Sequence, residues 1–348
     1  MIQPVSLSPS PRQTGEVILE VRDLRVSFDA PDGKVHAVNG VSFDLRSGEC
    51  LGVVGESGSG KSVTMMSLVG LIPSPPANID GGQAVLRNGD SELDLLDLAP
   101  SRLRRVRGGT VGFVFQDPLS ALNPTMRVGR QIAESVRKHR DLDDDESKEE
   151  ALSLLTVVGI ADAESRYVAY PHEFSGGMRQ RVMIAIAMAG DPPIVIFDEP
   201  TTALDVTVQA QIVQLVKRRL QQERGTAIIW ITHDLAVIAG IADRLVVMYG
   251  GTVVETGPVD DIYRHPRHPY TEGLLNAIPS AEADVDTRLA SIDGSPPDLL
   301  VAPDFCPFQP RCRRAFGRCL ETRPPLSPVG HGHLSACYYD MVNDRPRT

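Results

Sequence analysis

The sequence contains no run of about 18 consecutive apolar residues, the length that a helix needs to cross a bilayer. It also lacks an excess of positive charge, because its 348 residues carry a formal net charge of −10. That balance argues against general nucleic-acid binding and against attachment to anionic lipid by a basic segment. Residues 1–16 have no apolar core of signal-peptide length, and we expect a disordered tail there. These absences favour a cytosolic protein that reaches any membrane through a protein partner.

Cysteine is scarce, with five in the chain. In a cytosolic protein these are expected to be reduced thiols or metal ligands rather than disulfides. Cys50 stands alone in an apolar stretch, which is typical of buried packing. The other four lie together near the carboxyl terminus: Cys306, Cys312, Cys319 and Cys337.

Glycine, by contrast, occupies three of the eight positions of one short motif. Residues 55–62 read GESGSGKS after an apolar run, which fits the phosphate-loop pattern GxxxxGKS. Its glycines let successive backbone N–H groups wrap an anion, and Lys61 reaches the outer phosphates. Ser62 opens the next helix with its hydroxyl placed to ligate Mg²⁺. The other expected nucleotide contacts in this motif are Gly55, Glu56, Ser57, Gly58, Ser59 and Gly60.

Two acids follow a second apolar run. Residues 194–197 are apolar at every position, as in a strand buried on both faces of a parallel sheet, and Asp198 and Glu199 come next. Ligands of α/β proteins bind at the carboxyl ends of such strands. We expect Asp198 to hold Mg²⁺ through water and Glu199 to polarise the attacking water.

A second anion-binding helix start is predicted at FSGGMRQ, residues 174–180. Ser175 can cap the helix, while Gly176 and Gly177 bring backbone N–H groups close to a phosphate. Two further polar residues follow predicted strands. His233 is expected beside the γ-phosphate, and Gln116 is expected to sense Mg²⁺ and the attacking water.

The pattern of apolar residues indicates the organisation of the chain. Residues 16–45 read as an antiparallel sheet with a turn at 31–33, and residues 132–139 and 151–158 read as helices. The acidic stretch 141–150 between them is typical of a solvated helix start. From residue 194 the order strand, helix, strand indicates a parallel α/β core, and Gly250-Gly251 predicts a hairpin.

In this order and spacing, the motifs resemble the ATPase subunit of an ABC transporter over residues 17–260. The resemblance implies an α/β fold with a P-loop NTPase core, an antiparallel β subdomain and an inserted helical subdomain at about 118–180. It makes residues 175–180 the signature motif, Gln116 the Q-loop residue, Glu199 the catalytic base and His233 the switch histidine.

In that family two ATPases sandwich two ATP molecules, each held by the phosphate loop of one subunit and the signature of the other. Ser175, Gly176 and Gly177 are therefore expected to bind the nucleotide of a second subunit. The resemblance also implies a D-loop at residues 203–205, in which Asp205 contacts the site, and an adenine-stacking aromatic at Phe28.

Finer motifs resemble the oligopeptide and dipeptide import subfamily. They are PHEFSGGMRQR (171–181), DVTVQAQ (205–211) and HPYT (268–271), and FSGGMRQR looks like its D-type subunit. The resemblance implies a distinct F-type ATPase, two membrane permeases and an extracytoplasmic substrate-binding protein as partners. It places the chain at the cytoplasmic face of the plasma membrane, with no nucleic-acid partner. Residues 261–348 form the C-terminal extension of that subfamily.

The extension holds the four clustered cysteines, whose spacing is not the CxxC pair of a zinc ribbon. Four thiolates suit zinc or an iron-sulfur cluster, and unligated thiols are the third alternative. Several arginines lie near these cysteines in the sequence, whereas Glu321 is the one acid among them. The arginines would offset the negative charge of a cluster. The subfamily resemblance implies a 4Fe-4S cluster. His331 and His333 lie nearby as substitute ligands.

The leading hypothesis is the ATP-hydrolysing motor of a peptide importer, with nickel and glutathione as alternative cargoes of its relatives. A soluble ABC ATPase of DNA repair or of ribosomes is the rival class. Only 114 residues separate Lys61 from Ser175, which leaves no room for a repair-type coiled coil, and one cassette argues against the ribosomal type. An iron-sulfur electron carrier would leave the hydrolytic motifs unexplained.

Overall fold

A computed structural model describes residues 15–89, 91–202, 204–278 and 291–347. The predicted disordered tail, residues 1–16, lies outside the described residues except for its last two positions. None of the helices in these four ranges has the length and apolar character needed to cross a membrane.

Fourteen strands are found in the described residues. In chain order they are β1 (Val17–Ala30), β2 (Gly33–Arg46), β3 (Cys50–Val54), β4 (Ala77–Asn88), β5 (Ser91–Asp94), β6 (Val111–Val114), β7 (Ile194–Asp198), β8 (Ala227–Thr232), β9 (Arg244–Tyr249), β10 (Thr252–Pro258), β11 (Ser327–Gly330), β12 (His333–Ser335), β13 (Tyr339–Asp340) and β14 (Arg345–Pro346).

Two sheets make the framework. The predicted antiparallel sheet is confirmed, with the order β2-β1-β4-β5. The main sheet has the order β11-β12-β10-β9-β3-β8-β7-β6, in which β9, β3, β8, β7 and β6 run parallel to one another. The predicted hairpin at Gly250-Gly251 is also confirmed, because Thr252 pairs with Tyr249 across it.

The helices surround the main sheet. They are α1 (Lys61–Leu68), α2 (Pro100–Gly109), α3 (Pro118–Ala121), α4 (Val128–His139), α5 (Asp144–Val157), α6 (Ala163–Tyr167), α7 (Gly176–Met188), α8 (Val206–Leu215), α9 (Leu235–Ile241), α10 (Val259–Arg264), α11 (Pro269–Asn276) and α12 (Arg318–Glu321). A π-helical turn, Val216–Gln222, extends α8.

The predicted helices between β6 and α7 are confirmed as α4 and α5. The acidic stretch begins α5 with a capping box, in which the Asp143 carboxylate accepts from the Glu146 N–H and the Glu146 carboxylate accepts from the Asp143 N–H, both at 2.9 Å. Such reciprocal bonds satisfy two backbone donors that a helix start leaves free. The acidic stretch is therefore a solvated helix start, as the sequence predicts.

The main sheet is buried on both faces, and β7 illustrates why its residues are all apolar. Val195 and Phe197 pack into the core formed with α4, α5, α7 and α8. Ile194 and Ile196 pack into the opposite core, which includes the antiparallel sheet and α1. A strand held from both sides places the residues at its end rigidly.

The C-terminal extension adds β11 and β12 to the main sheet, while its last strands, β13 and β14, pair only with each other. β12 pairs with β10, so hydrogen bonding crosses the boundary predicted at residue 260. At this junction Glu255 is fully buried, and its carboxylate accepts from the Arg267 N–H at 2.6 Å and the His268 N–H at 3.0 Å. The His333 ring bonds the same carboxylate at 2.7 Å. Glu255 thus joins three parts of the chain.

We expect the Glu255→Ala variant to lose about 2–4 kcal/mol of unfolding free energy, since it leaves two buried N–H groups and a histidine without their acceptor. Chemical denaturation measures this loss. Glu321→Ala, at an exposed carboxylate of the same extension, is the matched control and should change stability by less than about 0.5 kcal/mol. Equal losses in both variants would contradict the structural role of Glu255.

Candidate functional site

The carboxyl ends of four neighbouring parallel strands meet at one edge of the main sheet. β3 leads into Gly55 and β8 leads into His233. β7 ends at Asp198, and Gln116 follows β6 by two residues. The predicted groups, which are far apart along the chain, are therefore brought to one place.

The loop between β3 and α1 needs glycine because it packs directly on other backbone. Gly55 has a φ of +153°, and a Cβ there would lie 2.2 Å from the Met248 carbonyl oxygen. Gly60 has a φ of +93°, and its Cβ would lie 2.5 Å from the Ala37 carbonyl oxygen. A Cβ at Gly58 would meet nothing within 4 Å, so the tip of the loop faces open space. The loop is anchored on one side and accessible on the other.

Two further groups of this loop point to an anion. The Lys61 ammonium is buried and donates to the carbonyl oxygens of Gly55, at 2.8 Å, and Glu56, at 2.9 Å. Burial lowers the pKa of Lys61, and the nearby carboxylates of Glu199 and Asp198 oppose that shift. The Ser59 hydroxyl is buried without a hydrogen-bond partner.

The predicted magnesium ligands are in contact. The Ser62 hydroxyl donates to the Asp198 carboxylate at 2.7 Å. Burial raises the pKa of Asp198, while the bond from Ser62 opposes this rise. A hydroxyl and a carboxylate oxygen side by side are the hard ligands that Mg²⁺ takes, and the pair therefore fits this ion.

Glu199 is the centre of a cluster of polar side chains. Its carboxylate accepts from the Thr202 hydroxyl at 2.9 Å and from the Gln116 amide at 3.3 Å, and it lies 3.2 Å from the His233 ring. The backbone of Glu199 is left-handed, with a φ of +45°, and its N–H donates to the Ile231 carbonyl. Thr202 was missed by the sequence reasoning, although it stands only three residues after the acid.

The signature motif starts α7 as predicted. The Ser175 hydroxyl accepts from the Met178 N–H at 3.3 Å and caps the helix. Ser175 and Gly176 are exposed, and within the described ranges no hydrogen bond joins them to the phosphate loop. A Cβ at Gly177 would lie 2.7 Å from the Val208 side chain, which limits larger residues there. The two predicted anion sites are therefore not joined by hydrogen bonds within the described part of this chain.

The remaining predicted contacts have local structural roles. Asp205 caps α8 by accepting from the Val208 N–H at 3.0 Å. Phe28 lies half-buried in β1 against the core that contains the antiparallel sheet. Ala203 of the predicted D-loop lies outside the described residues. The nucleotide contacts of Asp205 and Phe28 stay predictions.

The phosphate loop also contacts the C-terminal extension, which the sequence reasoning did not foresee. The Glu56 N–H donates to the Tyr270 hydroxyl at 2.8 Å. The Arg311 guanidinium holds the Glu56 carboxylate with two bonds, of 2.6 and 3.0 Å. Tyr270 lies in the HPYT motif, but nothing in the sequence connects Arg311 to residue 56.

The four clustered cysteines come together in the structure. Cys306, Cys312, Cys319 and Cys337 line one cavity of about 10 Å³. Burial raises the pKa of Cys306 to about 11 and that of Cys337 to about 12. As placed, no three His, Cys, Asp or Glu side chains of the described chain form a group that could hold a metal ion. The prediction for Cys50 is confirmed, because it is fully buried in β3.

Three of the arginines near the cysteines have acidic partners that the sequence analysis did not count. Arg311 pairs with Glu56, Arg313 with Asp293, and Arg314 with Glu272. Only one acid, Glu321, lies among the cysteines along the sequence. The acids that pair with these arginines come from other parts of the chain and could not be identified in that way. His333 is also bonded to Glu255, and His331 is exposed, so neither substitutes as a ligand here.

Known proteins share both parts of this chain. A family model described as ABC transporter matches residues 38–202, and one described as oligopeptide/dipeptide transporter, C-terminal region, matches residues 254–319. The oligopeptide transport ATP-binding protein OppD of Escherichia coli (strain K12) is 48% identical over 95% of both chains. The dipeptide transport ATP-binding protein DppD of Bacillus subtilis (strain 168) is 45% identical over 93% of this chain and 95% of its own.

Solved structures confirm the fold. A dimeric ATP-binding cassette, MJ0796, in a post-hydrolysis state with ADP and Pi, has a TM-score of 0.61 and 27% identity, over 70% of this chain and 99% of its own. CbiO1 of Clostridium perfringens, part of an ABC transporter complex, has a TM-score of 0.60 and 26% identity, over 72% of this chain and 92% of its own. The chain therefore belongs to the ABC transporter family, among the ATP-hydrolysing subunits of its oligopeptide and dipeptide branch.

Proposed function

We propose that this chain hydrolyses ATP to power the import of dipeptides or oligopeptides through separate membrane permeases. The observation that carries the proposal is the convergence of Lys61, Ser62, Asp198 and Glu199 at one sheet edge in a chain whose relatives are named peptide transport proteins. Those relatives match more than nine-tenths of the chain, which removes support from repair or ribosomal ATPases.

The geometry suggests a role for each residue at the sheet edge. Lys61 and the loop N–H groups bind the phosphates, and Ser62 and Asp198 would hold Mg²⁺. The chemistry that this ion supplies when bound is neutralisation of phosphate charge. Glu199 accepts the proton of the attacking water, while Thr202, Gln116 and His233 orient its carboxylate.

We expect Glu199→Gln to slow ATP hydrolysis by about 10²-fold or more while ATP binding persists, since the acceptor of the water proton is lost and the phosphate loop remains. Turnover and an equilibrium nucleotide titration measure the two effects. Lys61→Ala is the contrasting variant and should lose binding itself. Near-normal turnover in Glu199→Gln would remove Glu199 from this role.

The cargo is tested in cells that lack the gene for this chain. We expect uptake of labelled dipeptides and oligopeptides to return with the wild type but not with Glu199→Gln, because import draws its energy from hydrolysis. Labelled nickel and glutathione are the comparison substrates. Restored uptake of one of these without peptide uptake would replace the peptide assignment.

The exposed signature supports a dimer of ATPases. In this arrangement Ser175, Gly176 and Gly177 reach the nucleotide held by a second subunit, and Asp205 and Phe28 complete the nucleotide contacts. The pairing we favour is with a distinct F-type ATPase, as in the D-type resemblance of FSGGMRQR.

For this heterodimer we expect Gly177→Val in this chain to abolish one ATP site and leave the other working. The valine side chain would clash with Val208 and distort the signature, which serves only one of the two sites. Single-turnover hydrolysis by the mixed pair counts the working sites. The same substitution in a homodimer would disable both sites, and full activity of this chain without a second ATPase would also favour the homodimer.

A groove beside Gln116 fits the contact with a permease. The groove has a volume of about 330 Å³ between the end of β6 and the helices α4 and α7, and its lining includes Phe113, Phe115 and Ile186. Phe115 is exposed and directly precedes Gln116, which bonds to Glu199. An apolar cytoplasmic segment of the permease in this groove would therefore contact Phe115, next to Gln116 of the catalytic cluster, and it would hold the chain at the cytoplasmic membrane face.

The four cysteines support a 4Fe-4S cluster as a second cofactor. Their thiols meet in one cavity, and a metal centre favours thiolates where burial alone raises their pKa. No group of described side chains is set to hold a metal ion as placed, so the preference for the cluster over zinc rests on the subfamily resemblance. The donor set fits the cluster, but the cavity of about 10 Å³ must widen around it.

Anaerobically purified protein is then expected to be brown, to absorb near about 400 nm and to contain about four iron atoms per chain. Cys312→Ser should remove the iron and the colour, while Cys50→Ala, at a buried cysteine outside the cavity, should keep both. Iron and zinc analysis decides between the alternatives. One zinc per colourless chain, or four freely titratable thiols in the folded protein, would contradict the cluster.

A further inference from the structure

Glu56 of the phosphate loop is held at three points. Its N–H donates to the Tyr270 hydroxyl, and its carbonyl accepts from Lys61. Its carboxylate makes two bonds to Arg311, of 2.6 and 3.0 Å. Two of these three attachments come from the C-terminal extension. The conformation of the loop beside Lys61 therefore depends on that extension.

Arg311 is itself firmly placed. Its side chain is 4% exposed. Besides Glu56, its guanidinium donates to the carbonyl oxygens of Ile292, at 3.1 Å, and Asp293, at 2.8 Å, and to the Tyr249 hydroxyl at 3.2 Å. An arginine with its donors satisfied in a fixed fork is a rigid partner for a carboxylate. The extension thus positions Arg311, and Arg311 positions Glu56.

The charge of Glu56 matters for an anionic ligand. Its carboxylate is one of three that act on the Lys61 ammonium, together with Glu199 and Asp198. A carboxylate without its cation in this loop would repel the phosphates of ATP and would weaken the field of Lys61. The bidentate pair with Arg311 neutralises that charge.

We propose that Arg311 is a positioning residue of the ATP site, through which the four-cysteine segment controls the affinity of the phosphate loop for ATP. The proposal rests on the ATP-binding role of this loop. Arg311 directly precedes Cys312 in the chain, and Cys312 lines the cysteine cavity. A change that orders or loosens the four-cysteine segment therefore moves Arg311, which holds Glu56. The ATP site and the extension are then one coupled unit.

The test is an equilibrium titration of the full-length chain with ATP. Arg311→Ala should weaken ATP binding by about 10-fold, because it leaves an unpaired carboxylate in the phosphate loop. Glu56→Gln alone should weaken ATP binding less than Arg311→Ala does, because residue 56 keeps its backbone groups in the loop and carries no unpaired charge. The double variant Glu56→Gln/Arg311→Ala should recover most of the loss, since no charge then remains to be neutralised. In turnover, Arg311→Ala should raise KM far more than it lowers kcat.

Arg313→Ala is the matched control. It removes a neighbouring arginine of the same segment, whose pair with Asp293 is exposed, and should leave ATP binding unchanged. As a single substitution, Cys312→Ser should weaken ATP binding. Added to the Glu56→Gln/Arg311→Ala double variant, it should not weaken ATP binding further. A wild-type affinity in Arg311→Ala would overturn the proposal.

A double variant as weak as Arg311→Ala would also overturn it, because the loss would then come from a disturbed extension rather than from the charge of Glu56. Failure of the wild type itself to bind ATP would instead refute the function of the loop. Lys61→Ala, which loses the phosphate contact directly, marks the signal expected for no binding.

Discussion

The parallel pairing of β3, β8 and β7 is the constraint on which the rest of the site depends. In this register Val54 lies beside Thr232, and Asp198 lies beside Ile231. Three strands from distant parts of the sequence therefore end at the same level of the sheet. The Glu199 N–H donates to the Ile231 carbonyl, which ties the turn after β7 to the end of β8. Without this register, the acid, the histidine and the phosphate loop would not share one edge.

How much was predictable from the sequence depended on how local the cause was. The phosphate loop, the strand that ends at Asp198 and the capped start of α5 are set by residues within a few positions of one another, and all three are found in the structure. Glycines and apolar runs carry such information directly. Glu56 and Arg311 are 255 positions apart, and their contact depends on how the chain folds back.

The arginines of the extension make the same point about charge. Within their own segment they face few acids, and the sequence therefore predicted a basic environment for the cysteines. In the folded chain Arg313 and Arg314 meet Asp293 and Glu272, which come from outside the cysteine cluster. Electrostatics is a property of neighbours in space, so a count along the sequence cannot determine it. Tyr270 was not assigned to the site for a similar reason, because it lies 214 positions from Glu56 along the chain.

The strand that follows the Gly250-Gly251 hairpin has a consequence for the cassette as a whole. β10 would be an open edge strand if the chain ended with it, with a row of backbone N–H and C=O groups free to pair with another molecule. β12 covers that edge, and β11 outside it is only four residues long and contains Pro328, which cannot donate a hydrogen bond. The extension therefore also protects the sheet against edge-to-edge aggregation, and a cassette cut off after residue 260 would lose that protection.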